Sequence, residues 1–146
     1  MGVRTRTRAE NRKEAKKDVA FARLNNCPTS PRKMRLIADL VRGKRVELAL
    51  HILKNNAKQP SERLRKLLLS ALANWQAKNE GVRIEDSDLY IKEIFVDSGR
   101  QLKRLQTAPQ GRAHRIRKRS NHVTILLDSR NKPVAEEEVA KEETEN

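Results

Sequence analysis

SGRQLKRLQTAPQGRAHRIRKRS, Ser98–Ser120, lies between two apolar stretches, LYIKEIFVD (Leu89–Asp97) and HVTILLD (His122–Asp128). Within it, Arg100–Arg119 holds eight cations, six of them Arg, and no carboxylate. Segments longer than about 12–15 residues without structure of their own are uncommon in compact domains unless functional or disordered. If the flanking stretches pair as antiparallel strands, the segment can continue them outward as a two-stranded ribbon. Pro109-Gln110-Gly111 sits at its midpoint with turn chemistry, Pro at position i+1 and Gly at i+3. Each arm then has about 11 residues and reaches on the order of 35 Å at ~3.3 Å per residue. Isolated hairpins are marginal in water, and a run of like charge makes this one less stable. An anionic surrounding is therefore expected.

A solvated basic loop is the plain alternative, but solvated surfaces normally interleave both signs. Guanidinium groups make bidentate phosphate contacts and stack on bases, whereas ammonium groups act as point charges. RNA contacted through its backbone and shape fits this composition, since no motif here reads bases.

Working outward, Leu89–Asp97 is rich in β-branched and aromatic residues with apolar side chains on both faces, which predicts an inner strand. His122–Asp128 predicts a second strand with Val123, Ile125 and Leu127 on one face, and Val19–Cys27 a third. Between the third strand and Leu89 come three helical patterns. Ser30 is placed to cap the first, Pro31 suits its first turn, and Met34, Ile37, Ala38 and Val41 form its stripe before Gly43. Val46, Ala49, Leu50 and Leu53 repeat the spacing in a second helix ending near Asn55–Asn56. Pro60 opens a third, with Leu64, Leu67, Leu68, Ala71, Leu72 and Trp75 on one stripe and Gly81 at its exit. The expected architecture is α+β, three helices packed on a small antiparallel three-stranded sheet with a long protruding β-hairpin over residues 98–120.

The whole chain has 146 residues and a formal charge of +14. That surplus predicts a polyanionic partner. The longest mostly apolar run, Leu67–Ala73, is far short of the ~20 residues that span a bilayer, so no membrane span is expected. Met1–Asp18 carries seven basic residues but no apolar h-region, which argues against a secretory signal. Residues 1–18 read as a disordered basic arm, 19–128 as the folded domain, and 129–146 as an acidic disordered tail. A single cysteine, Cys27, excludes an internal disulfide framework and fits a reducing compartment, with the cytoplasm as the expected location.

A second basic constellation, SPRKMR, stands at the start of the first helix. Arg32, Lys33 and Arg35 lie beside free backbone N–H groups and the positive end of the helix dipole, together suited to a phosphate. Arg42, Lys44 and Arg45 follow at the turn between helices. Catalytic and metal readings find no support: Cys27, His51, His114 and His122 lack ligand spacing, and no nucleotide-binding or zinc motif is present. Asp86 and Asp88 read as turn residues. Neither catalytic residues nor a metal or cofactor is expected. A free-standing nucleic-acid chaperone or regulator is the rival reading, though no helix here reads as a recognition helix for a DNA major groove.

SPRKMRLIADLVRGKRVELALHILK (Ser30–Lys54), SALAN (Ser70–Asn74), LYIKEIFVDSG (Leu89–Gly99) and LKRLQTAPQGRAHRIRKRSNHVTILL (Leu102–Leu127) closely resemble the bacterial large-subunit ribosomal protein family numbered twenty-two. The resemblance implies a structural constituent of the large subunit that organises ribosomal RNA during assembly. It also implies that the hairpin reaches the wall of the nascent-peptide exit tunnel. Neighbouring large-subunit proteins and the nascent peptide at the tip are the further partners implied. Carried over by position, Ser30, Pro31, Arg32, Lys33, Lys103, Arg104, Gly111, Arg112, Arg115, Lys118 and Arg119 fall on the family's RNA-contact motifs. Arg35, Arg42, Lys44, Arg45 and Arg117 join them on charge, and Thr107, Ala108, Pro109, Gln110 and Gly111 form the expected tunnel-lining tip. Many relatives place a proline followed by basic residues there; in this chain the proline is shifted and cations are fewer.

Overall fold

The computed structural model describes residues 3–79, 82–84 and 87–130. The acidic tail beyond Arg130 and the helix exit at Gly81 lie outside the described residues. In chain order the elements are α1 (Val3–Asp18), β1 (Ala20–Cys27), α2 (Pro31–Val41), α3 (Val46–Asn55), α4 (Gln59–Lys78), β2 (Leu89–Thr107) and β3 (Ala113–Ser129). The class is the expected α+β, with four helices where three stripes were legible. The additional one is α1. Its residues Val3–Lys13 are all exposed, so no burial holds that stretch. Its turns rest on strong helix formers and on local pairs such as Arg6 Nε to Glu10 Oε1 at 3.0 Å.

The three amphipathic helices form where the stripes predict. Met34, Ile37, Ala38 and Val41 of α2, Val46, Ala49 and Leu53 of α3, and Leu64, Leu67, Leu68, Ala71 and Trp75 of α4 are buried. They meet Ala20, Ala22, Ile91, Ile94, Val96, Val123, Ile125 and Leu127 of the sheet in one core. Each such side chain removed from water contributes roughly 1.5–3 kcal/mol. Gly43, just past α2, adopts φ +72°, the left-handed geometry that lets the chain leave the helix sharply.

The sheet is antiparallel in the order β1-β3-β2. The inner strand is therefore β3, and Leu89–Asp97 lies on an edge, contrary to the expectation from its two apolar faces. A bulge explains the pattern. Ile91 pairs with Leu127 and Glu93 with Leu126, so Lys92 is an extra residue opposite β3. The half-step lets Leu89 and Ile91 before it, and Ile94 and Val96 after it, all face the core.

Both edges are closed by donors from the helical layer. On β2, Ile91 exchanges backbone bonds with Gly43 and Lys44, each 3.0 Å. Arg42 donates to the Ile94 carbonyl at 3.3 Å, and Arg35 donates through Nη2 to the Val96 carbonyl at 3.0 Å. On β1, Asn74 and Lys78 of α4 donate to the carbonyls of Phe21 and Val19 at 3.0 and 2.8 Å. Occupied carbonyls cannot recruit a foreign strand, so these contacts blunt edges that would otherwise template aggregation.

Candidate nucleic-acid interface

Past the core, β2 and β3 continue as a paired ribbon, from Gln101 opposite Arg119 to Thr107 opposite Ala113. A second bulge, between Ser98 and Gln101, marks its base. Gly99 stands in that bulge, and a Cβ there would come within 2.6 Å of the Ser120 Oγ. The register of β3 is unbroken, so its odd-numbered residues keep to one face throughout. That face is apolar at Leu127, Ile125 and Val123, reaches Asn121 at the boundary, and becomes cationic at Arg119, Arg117 and Arg115. Cross-strand pairing adds Gln101, Lys103 and Leu105 of β2 to it. The other ribbon face carries Arg104 and Lys118 with Leu102, His114 and Ile116. One face thus holds four cations and the other two.

The cationic face runs into the start of α2. Ser30, Pro31, Arg32, Arg35, Ser98, Arg117 and Arg119 line a cleft of 390 Å³. Ser30 has the extended backbone of an N-cap, yet its hydroxyl makes no capping bond. The backbone N–H groups of Arg32 and Lys33, in the first turn, have no intrahelical acceptor and carry the positive end of the helix dipole. Guanidinium groups from two elements distant in sequence and an open helix N-terminus converge there, the chemistry that holds a phosphate.

Asn121 fixes this geometry. It is fully buried, and its Nδ2 donates to the Thr29 carbonyl at 2.7 Å and to Thr29 Oγ1 at 2.9 Å. The ribbon base is thereby tied to the residue that precedes Ser30. Thr29, Asn121 and Ser98 are the members of this site that sequence reasoning missed. Parity was a usable signal for Asn121, since it continues the face of Val123, Ile125 and Leu127.

The remaining basic candidates divide in two. Arg42 pairs with Asp39 at 2.6 Å as well as closing the β2 edge, and Arg45 pairs with Asp88 at 2.9 Å. Arg35 both closes the edge and lines the cleft. Lys44 contributes its backbone to the edge. By contrast Arg32, Lys33, Lys103, Arg104, Arg112, Arg115, Arg117, Lys118 and Arg119 are exposed, and none has a carboxylate partner among the described residues.

At the tip, the turn sits one residue later than expected. Arg112 donates its N–H to the Pro109 carbonyl at 3.4 Å, and Ala108 to the Arg112 carbonyl at 2.8 Å. Gln110 and Gly111 are the central residues, with φ +62° and +70°. Two positive φ values make this the primed geometry whose twist suits a hairpin. Thr107 ends β2, and no charged side chain lies between Gln106 and Gly111.

Among the described residues no catalytic constellation accompanies these features. Cys27 is buried, its Sγ 3.2 Å from Thr29 Oγ1 and 3.2 Å from Arg63 Nη1. Asp88 is engaged by Arg45, and Asp86 lies outside the described residues. Among the described residues no group of three His, Cys, Asp or Glu could hold a metal ion, and no helix is long and apolar enough to cross a membrane.

Comparison with known proteins matches residues 22–128 to the family described as ribosomal protein L22p/L17e. A large ribosomal subunit protein uL22 from Christiangramia forsetii is 70% identical over 131 residues, covering 90% of this chain and 97% of the relative. Its counterpart from Flavobacterium psychrophilum is 65% identical, covering 90% and 96%. That of Bacteroides fragilis is 55% identical over 130 residues, covering 89% and 95%.

Proposed function

The chain belongs to the ribosomal protein L22p/L17e family, and we propose that it organises large-subunit ribosomal RNA through the cleft at α2 and the cationic face of the ribbon. Its role is that of a structural constituent of the large ribosomal subunit, not of an enzyme. One observation carries the finer reading. Arg117 and Arg119 stand beside Ser30, Arg32 and Arg35 in a single cleft, continuous with Lys103 and Arg115, and Arg100–Arg119 contains no carboxylate to compete with phosphate. A ribbon of this charge gains order when phosphates surround it, which turns its instability in isolation into a means of coupling assembly to RNA folding.

Mapping RNA crosslinks residue by residue in assembled subunits tests the assignment. Adducts are expected at Arg32, Lys33, Lys103, Arg115, Arg117 and Arg119. Adducts confined to α1, or a protein that sediments apart from large subunits, would overturn it in favour of a free-standing RNA-binding chaperone.

The tip has a separate role in this proposal. Thr107, Ala108, Pro109, Gln110 and Gly111 carry no charge while the arms beside them are cationic. A phosphate anchor would be most basic at its end. A neutral polar tip instead suits a water-filled passage, where a moving nascent peptide would pass without ionic capture. Deleting Thr107–Gln110 should leave subunit assembly intact, because the arms keep their cations, and should alter stalling by nascent peptides that pause in the tunnel. Failed assembly with normal tunnel behaviour would make the tip an RNA anchor.

A further inference from the structure

The sheet face turned away from the helical core is built differently from the ribbon. β2 keeps an unbroken register with β3 from Glu93–Leu126 to Ser98–Asn121, so Glu93, Phe95 and Asp97 share that outer face with Leu126, Thr124 and His122 opposite them. Phe21 pairs with Leu126 and Arg23 with Thr124 from the other side. Phe21 is 47% exposed and Phe95 49%, and they are the two phenylalanines of the chain. Half-exposed rings gathered on one surface, rimmed by polar groups, mark an interaction site.

Charge selects the partner. Glu93 and Asp97 bracket Phe95 on one strand, are exposed, and form no ion pair among the described residues. A phosphate backbone laid over Phe95 would meet the Glu93 and Asp97 carboxylates, the neighbouring Lys92 being already engaged by Asp128, whereas the ribbon presents no carboxylate. A cation meets the opposite situation, two acceptors and an aromatic face between them. We infer that this face docks a Lys/Arg-rich segment of a neighbouring large-subunit protein, with its cations on Glu93 and Asp97 and its apolar groups on Phe21, Phe95 and Leu126. The inference rests on the ribosomal placement proposed above.

The test uses the full chain with Phe95→p-benzoylphenylalanine, assembled into large subunits and irradiated. A protein adduct is expected, mapping to a Lys/Arg-rich peptide. Its yield should fall about tenfold when Glu93→Lys and Asp97→Lys are added, as two attractive contacts become repulsive. The milder Glu93→Gln with Asp97→Asn should lower it less, and guards against a reversal that impairs folding. An RNA adduct at position 95, no adduct, or a protein adduct indifferent to both charge variants would overturn the inference. The same probe at Ile116 should yield an RNA adduct; its absence, with the position 95 adduct intact, would count against the RNA reading of the ribbon and not against this face.

Discussion

Val123, Ile125 and Leu127 in one half of β3 and Arg115, Arg117 and Arg119 in the other occupy the same face of the same strand, yet the first three are buried and the last three exposed. The pleat is common to both halves; what differs is the neighbour. The inner half is covered by α2 and α4, so apolar surface is removed from water within the chain itself. The outer half is paired with β2 and meets only the start of α2 at its base, and its cations have no carboxylate partner among the described residues. One backbone element thus serves in one half as part of a self-sufficient core and in the other as an exposed cationic arm. Asn121 is the hinge between the two, buried like the core and polar like the ribbon.

The largest expected effect comes from attacking the inner half. Ile125 is 1% exposed and Ile116 39%. Ile125→Ala should cost about 2–5 kcal/mol through lost transfer energy and the cavity left behind. Ile116→Ala on the same strand should stay within about 0.5 kcal/mol. Urea unfolding of both variants measures this, and equal losses would break the comparison. Asn121→Ala comes next, at about 1–3 kcal/mol, because the Thr29 carbonyl loses its buried donor. A neutral result by the same assay would move the boundary of the core inward to Val123.

On the outer half, Arg115→Gln with Arg117→Gln should leave unfolding unchanged. It should flatten the dependence of log K for ribosomal RNA on log salt by about 1–2 units. A changed midpoint with an unchanged slope would mean that these arginines support the fold instead of phosphate.

The smallest effects belong to exposed ion pairs that lie off the compared face of β3. The Glu62 carboxyl is held below its ordinary 4.5 by the Lys66 ammonium that bonds it. A depressed acid adds stability above its unfolded value, and that contribution is lost as pH falls through the folded one. Lys92 is raised above 10.5 by its bond to Asp128. Its contribution is present below the unfolded value and lost as pH rises through the folded one. Between those limits the pairs add no slope to stability. Glu62→Gln and Lys92→Gln should therefore not shift the melting temperature resolvably at neutral pH and moderate salt. A clear shift would show that surface charge, and not only the core, holds the inner half.

Much of this protein follows from local order in the sequence. Apolar residues at helical spacing determined α2, α3 and α4, because one face of each must leave water. Alternation at Val123, Ile125 and Leu127 determined the face of β3. The absence of any carboxylate from Arg100–Arg119 determined that the ribbon carries charge of one sign. Other features belong to the tertiary structure alone. Strand order placed β3 inside, and the extra residue Lys92 disguised an edge strand as an inner one by shifting its phase. Arg35 and Arg42 read as phosphate ligands in sequence, and only the structure shows that their guanidinium groups also donate to the Val96 and Ile94 carbonyls at the sheet edge. Ser30 and Arg119 came to share a cleft because Asn121 binds Thr29 across the ribbon base. The division has one physical reason. Periodicity and charge are properties of neighbours along the chain, whereas register, edges and clefts arise from pairings between residues far apart, whose hydrogen bonds exist only once the chain has closed on itself.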